Sequence, residues 1–542
     1  MDMVSLVEPC TAMCFKTSRI FTLLATGIVL VSCASSKTKN ENALHLTLAT
    51  EPPTLDWNLA NDNVSHQVIN QIMEGLAEYD ENMNPVPAIA ETWDVSKDGL
   101  VYTFHLKKNH AWTDGKPVTA NDFRDSWLRL LAPKTASEYA YFLYDIVGAR
   151  EFNTGQILDA EKVGIKTVDD HTLLVTLTQP IVYFPHLTTF MVTYPIRVDV
   201  VDRYGPKWTE PRNIVTCGPY QLTEWWHEYR LSLRKNPSYA GLPKPFVDEI
   251  IFNIVPDPST ALTLYDQAMI DVAVLPPMAI GHYKNSPDFV HHSRLRNTYF
   301  GFNITKPPFD NVFFRRALSQ SLDKSQIPSI LNGKEIPIKS WIPSNLPTAS
   351  PEAGLGFNPD LASLDLEKSK VDLSQPIELY FNSDPTNKKL AEWAQNQWKQ
   401  NLGLNVELIN QDWKSYLSLL HNDAPGLFRL GWGADYPDAD SFMNVFLSYS
   451  GNNFTQWKNK TFDALVIQAR GEANVEKRKN IYTQAEKMLL DEEAIIIPLY
   501  QHTQNMVVKK KWQPYPTSSL DAVYLKRVRA IHELPLHEPL NP

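Results

Sequence analysis

Residues 377 to 409 leave the chain few choices. Ile377–Phe381 alternates like a strand, Pro385 suits the first turn of a helix, and helix-forming residues run to Asn401. Gly403 ends that run and Leu404–Ile409 alternates again. A strand, one helix and a second strand read as a parallel βαβ unit, so at least this part has helices packed on a sheet. Elsewhere Leu44, Leu46 and Leu48 alternate with polar residues, as do Val101–Leu106, Thr172–Leu177, Arg230–Leu233 and Glu249–Ile254. Thr119 to Asp122 has capping-box spacing and precedes Phe123, Trp127, Leu130 and Leu131, which share one helical face. The expectation is a mixed α/β protein. At 542 residues it has room for three to four domain-sized units. There is no internal repeat.

The N-terminus reads as an address. Lys16 and Arg19 precede the apolar run Ile20 to Val31, which is too short for a membrane span of ~18–20 residues. Leu30-Val31-Ser32-Cys33 resembles a bacterial lipobox, which makes Cys33 the expected lipidation site and residues 1–32 the signal peptide. Residues 33–43 are polar and read as a flexible tether. With Cys10 and Cys14 removed and Cys33 acylated, Cys217 is left alone and cannot form an internal disulfide. It sits in NIVTCGPY with no neighbouring His or Asn, and reads as a packed residue rather than a nucleophile.

Lys and Arg number 51 against 61 Asp and Glu, a net charge of −10, which argues against a nucleic-acid partner. The fourteen Trp allow both a large core and a ring-lined pocket. Phosphate-loop, H-E-x-x-H and G-x-S-x-G motifs are absent from the sequence. His291-His292 and His532…His537 are its nearest approach to metal clusters, and each pair suits a core or surface role better than ligation. No metal, cofactor or catalytic residue is expected, and binding is favoured over catalysis.

Pro85–Leu131 (PVPAIAETWDVSKDGLVYTFHLKKNHAWTDGKPVTANDFRDSWLRLL) continues into Ala132–Leu143. Further blocks follow in order: Asn213–Tyr220, Lys306–Phe309, Val406–Trp413, Gly431–Tyr436 and Ser441–Asn444. Together they resemble the family-5 solute-binding proteins of ABC importers, in their oligopeptide-binding branch, from about Leu44 to about Pro535. The resemblance implies a two-lobed periplasmic-binding-protein fold (class II-like, cluster C) with an extra domain. Lobe I would comprise 44–73, 200–295 and 502–542, the extra domain 74–199, and lobe II 296–501. It implies a monomeric lipoprotein of the cell envelope that captures short peptides and hands them to permease and ATPase subunits. A receptor for murein tripeptide or dipeptide is the alternative, with haem or nickel further behind.

The same resemblance assigns the site. Asp435 would pair with the ligand amine, although taken alone it could equally cap the turn before Tyr436-Pro437. The backbone of Gly431, Trp432 and Gly433 would pair with the peptide, facing Asn61–Asn63. Tyr139 would reach into the cleft and Trp413 would line a side-chain pocket, with plain core the competing reading for both rings. Arg429 keeps one basic position for the far carboxylate. Leu420 and Asn387 replace two others, leaving His421 and Lys334 as candidate substitutes. Gly301 stands where an acidic residue is common in the pocket opposite Tyr139.

Overall fold

The structure, a computed structural model, describes residues 42–374, 376–520 and 522–530. The apolar leader, Cys33, residues 34–41 of the tether, His532 and His537 lie outside the described residues.

The βαβ unit forms as its sequence requires. Strands Ile377–Asn382 and Val406–Gln411 pair in parallel, from Ile377 opposite Val406 to Asn382 opposite Gln411. The intervening helix Pro385–Leu402 is capped by Asp384, whose carboxylate accepts the N–H groups of Thr386 (2.8 Å) and Asn387 (3.1 Å). It stops at Gly403, whose φ of +68° lies in the left-handed region that favours glycine. Leu390, Ala391, Ala394 and Trp398 bury one helix face in a core shared with Leu379 and Phe381.

This unit is the edge of a seven-stranded sheet. From the outer strand Val406–Gln411 the order runs through Ile377–Asn382, Leu427–Gly433, Phe289–Phe302 and Ile496–Val508 to Val272–Val274, and Ile336–Pro337 pairs off that path. Phe289–Phe302 and Ile496–Val508 are long enough to serve two cores. Val507 packs with Ala261, Tyr265 and Ile280, while Phe300 and Ile497 pack with Trp398. Their mutual register breaks between Ser293 and Asn297. Alternation in the sequence does not reveal these strands, because His291, His292, Ser293, Arg294 and Arg296 interrupt the apolar pattern.

A four-stranded sheet carries the N-terminal strand Ala43–Leu48, parallel to Glu249–Ile254 and followed by Arg230–Lys235 and Tyr220–Trp226. A second four-stranded sheet is antiparallel, in the order Ala90–Val95, Val101–Leu106, Thr172–Thr176, Ile165–Asp169. Helix Ala120–Leu131 contacts it and buries the expected face of Phe123, Trp127, Leu130 and Leu131. The capping box is present: the Asp122 carboxylate accepts the Thr119 backbone N–H at 2.7 Å. Cys217 is buried and burial pushes its thiol up, consistent with a packed residue.

A buried polar knot joins the segment after this second sheet to the seven-stranded region. Asp440 has no exposed surface. Its Oδ2 accepts from the Tyr183 hydroxyl (2.9 Å) and the Tyr436 hydroxyl (2.8 Å), and its Oδ1 from Arg470 Nε (2.8 Å). The two tyrosine rings stack with centroids 4.9 Å apart. Next to it Arg478 Nη2 donates to Asp438 at 2.7 Å. Breaking one partner of such a buried pair costs roughly 3–5 kcal/mol. Among the described residues no helix is long and apolar enough to cross a membrane.

Candidate functional site

Asp435 lies just beyond the end of strand Leu427–Gly433, in a segment held on two sides. The Ala434 N–H donates to the Leu295 carbonyl at 2.8 Å, and the Asp435 N–H donates to Ser441 Oγ at 3.1 Å. The carboxylate itself is left over. Among the described residues its hydrogen-bond partner is the Tyr141 hydroxyl at 3.4 Å, and no backbone N–H reaches it. The turn-capping role belongs instead to Asp438, whose Oδ1 accepts the Asp440 N–H at 2.8 Å. Burial raises the Asp435 carboxyl to about 6, and the Tyr141 hydrogen bond opposes that rise.

Asp435 opens into a cavity of about 70 Å³. Its walls include Tyr139, Phe190, Met191 and Leu520, with Asn61, Asp62, Asn63 and His66 opposite. Tyr139 and Tyr141 stack at 5.7 Å, and Tyr139 leans on Phe190 at 5.3 Å. Burial, then the charge of Asp435, pushes both phenols up, so they stay neutral donors. Asp62 caps helix Asn63–Ile72 through the N–H groups of Val64 and Ser65. Asn61 Nδ2 donates to Glu138 Oε2 at 2.7 Å, tying that loop to the segment that carries Tyr139. Burial lowers His66 to about 4, so it is neutral near pH 7. The wall therefore holds two carboxylates and no Lys or Arg, the electrostatics of a cation site. A larger hollow of about 350 Å³ shares Asn63 and runs along Gln67 and Gln71 to His292, Gln504 and Met506.

On the sheet itself, Arg296 lies opposite Gly433, Thr298 opposite Gly431 and Phe300 opposite Arg429, so these residues share one face. A Cβ added at Gly431 would meet the Asn297 carbonyl at 3.2 Å and Thr298 Oγ1 at 3.6 Å. One added at Gly433 would meet only the Arg296 side chain, at 3.9 Å. With no side chains of their own, both glycines leave room for another backbone to approach. Arg429 donates to Asn382 Oδ1 and Thr298 Oγ1, both at 3.3 Å, and its buried Nε has no partner.

The assigned residues thus gather in two groups. Asp435, Tyr139, Asn61 and Asn63 border the acidic cavity, while Gly431, Gly433 and Arg429 share the open strand face. Asn387 stands one step behind: it is buried and donates to Asn382 Oδ1 at 3.0 Å, the atom that also receives Arg429. The Trp432 side chain turns to the opposite face and packs on the core around Trp341, leaving only its backbone for a ligand. Trp413 begins helix Trp413–Asp423 and is half exposed, outside the cavity. Leu420 is core. His421 binds the Leu417 carbonyl at 2.8 Å and Lys334 lies over the Phe289 ring, so both are engaged elsewhere. Gly301 lines neither the acidic cavity nor the larger hollow, and a Cβ there would strike the Phe428 ring at 2.4 Å.

Sequence reasoning missed Tyr141, Asp62 and Arg296. Tyr141 had a signal in the spacing Tyr139-x-Tyr141, and Asp62 in its N-cap position. Arg296 had none, because its strand was not recognised.

Residues 84–454 match the bacterial extracellular solute-binding proteins, family 5 Middle. The chain belongs to this family. It is 34% identical over 478 residues to the periplasmic oligopeptide-binding protein OppA of Escherichia coli K12, covering 85% of this chain and 87% of that one. The unliganded open form of the murein tripeptide-binding protein MppA superposes with a TM-score of 0.80 at 30% identity, over 91% of this chain and 98% of that chain. Haemophilus influenzae OppA in complex with RPPGFSPFR gives a TM-score of 0.74 at 27% identity, over 91% and 99%. The α/β periplasmic-binding-protein fold expected from the resemblance is the fold of these relatives.

The raised Asp435 carboxyl has a direct consequence. Folding disfavours its ionised form, so the stability it allows below the unfolded pKa of 3.8 is lost as pH rises through about 6. Removing the charge should therefore stabilise the unliganded protein. Asp435→Asn is expected to gain up to about 3 kcal/mol at pH 7.5 and almost nothing at pH 3.5. Urea unfolding at both pH values measures this, and an equal effect at the two would contradict it.

Proposed function

We propose that this protein is the receptor subunit of a peptide ABC importer, which encloses short peptides with a free α-amine and delivers them to a membrane permease and its ATPase. The observation that carries this reading is the Asp435 carboxylate: it receives no backbone N–H and sits in an acidic cavity at the end of the glycine-bared strand. A peptide ammonium would complete the carboxylate with a charge-assisted hydrogen bond. The peptide backbone would lie along Gly431–Gly433, where main-chain recognition is indifferent to side-chain identity. Arg429 would meet an anion further along, held in place by Asn382 and, through it, Asn387.

The proposed bodies are lobe I (44–73, 200–295, 502–542), the extra domain (74–199) and lobe II (296–501). In support, the boundaries at 295/296 and 501/502 fall within the two long strands, beside the register break between Ser293 and Asn297. Two strands are a compliant connection for closure of one lobe on the other. A murein peptide also has a free amine, and the likeness to MppA keeps that ligand as the second reading.

Native mass spectrometry of residues 34–542 purified from cells tests the class of ligand. The expected spectrum is a ladder of two- to five-residue peptides. A single diaminopimelate-containing mass would establish the murein reading, and a haem or nickel mass would overturn the peptide reading. The proposed lipid anchor at Cys33 predicts that Cys33→Ser moves the protein from the membrane to the soluble fraction. A variant still bound to membranes would contradict the anchor.

A further inference from the structure

The peptide reading leaves one strongly charged feature of the cleft unused. Arg296 shares the face of Gly431 and Gly433 but makes no hydrogen bond or ion pair among the described residues. Arg429, on the same face, has only the neutral partners Asn382 and Thr298. His502 joins them through Thr298, its Nε2 lying 2.9 Å from Thr298 Oγ1. The like charges are felt. Burial and then Arg429 lower the pKa of Arg296, while burial and then Arg296, Arg429 and Arg294 lower His502 far below its usual value. No carboxylate contributes to either shift. Arg296 is exposed on this face, and two guanidinium groups that share one face without an acidic partner suit an anion supplied from outside.

The position of Arg296 is specific. It lies opposite Gly433, the last residue of its strand and two residues before Asp435. A peptide whose amine rests on Asp435 and whose backbone follows the strand places its second or third residue there. Arg429, four residues before Gly433 in that strand, is ~13 Å from it at about 3.3 Å per extended residue and would meet a more distal group.

We infer that Arg296, supported by Arg429 and His502, makes this cleft select peptides that carry an acidic side chain within their first three residues. The inference rests on the peptide reading above. The ligand carboxylate would relieve the repulsion between the guanidinium groups as well as forming its own hydrogen bonds, so an uncharged isostere forfeits both contributions.

Calorimetry on the full mature chain, with ligand first removed by unfolding and refolding, tests this. The peptides are Ala-Glu-Ala-Ala, Ala-Ala-Glu-Ala and their Gln counterparts. The protein should bind at least one Glu peptide about 10- to 100-fold more tightly than its Gln isostere. Arg296→Gln should abolish that preference while binding the Gln peptides within about twofold of the unaltered protein, a result that also certifies its fold. Arg296→Lys should keep part of the preference. Equal affinities for Glu and Gln peptides in the unaltered protein, or a preference that survives in Arg296→Gln, would overturn the inference and leave the peptide reading intact. Failure of every peptide to bind would overturn the peptide reading and this inference together.

Discussion

The site depends on a carboxylate that does not line its cavity. Asp440, without exposed surface, gathers Arg470, Tyr183 and Tyr436 onto its two oxygens. Tyr436 is the residue after Asp435, Arg470 lies in helix Lys460–Gly471, and Tyr183 comes from the segment after the second four-stranded sheet. Ser441, the next residue, receives the Asp435 backbone N–H. Burying an ion pair is costly unless its remaining hydrogen bonds are made, and here they are. What this knot yields is geometry: it fixes the turn after Gly433, so that the Asp435 carboxylate faces the cavity with Tyr141 as its one hydrogen-bond partner among the described residues.

Seen from that fixed turn, the cleft is electrically polar along its length. At one end two carboxylates line a cavity free of Lys and Arg. Along the adjoining strand face, Arg296 and Arg429 stand with no acidic partner among the described residues. Between them the sheet offers bare backbone at Gly431 and Gly433. A peptide is the small molecule whose charges and backbone repeat in that order. The neutral phenol of Tyr139 lines the acidic end without adding charge, and Tyr141 stacks on it.

Much of this was legible in the sequence, for reasons that differ by residue. The βαβ unit was plain because Pro385 and Gly403 bracket a helix between two alternating strands. Asp435 and Tyr139 came from the family segments that contain them, and Arg429 from the family's pattern of basic positions, not from periodicity. The long strands Phe289–Phe302 and Ile496–Val508 were hidden, since a strand that lines a polar cleft loses the apolar alternation that marks a half-buried one. Arg296 was lost with them. Trp432 shows the opposite failure: a motif identifies a residue but not which face its side chain takes, and the period of two sends Trp432 to the core while its glycine neighbours face the cleft. Asn387 was placed in the site by position, yet its short side chain stops at Asn382 and acts on Arg429 from behind.

The amine anchor is the centre of the account, and calorimetry with one tripeptide in two forms tests it most directly. The free-amine form should bind, and its N-acetylated form should bind at least about 100-fold more weakly, because acetylation leaves the buried Asp435 carboxylate without a cation. Asp435→Asn should lose a comparable factor for the free-amine form and discriminate little between the two. Equal affinity of the unaltered protein for the free and acetylated peptides would contradict the anchor.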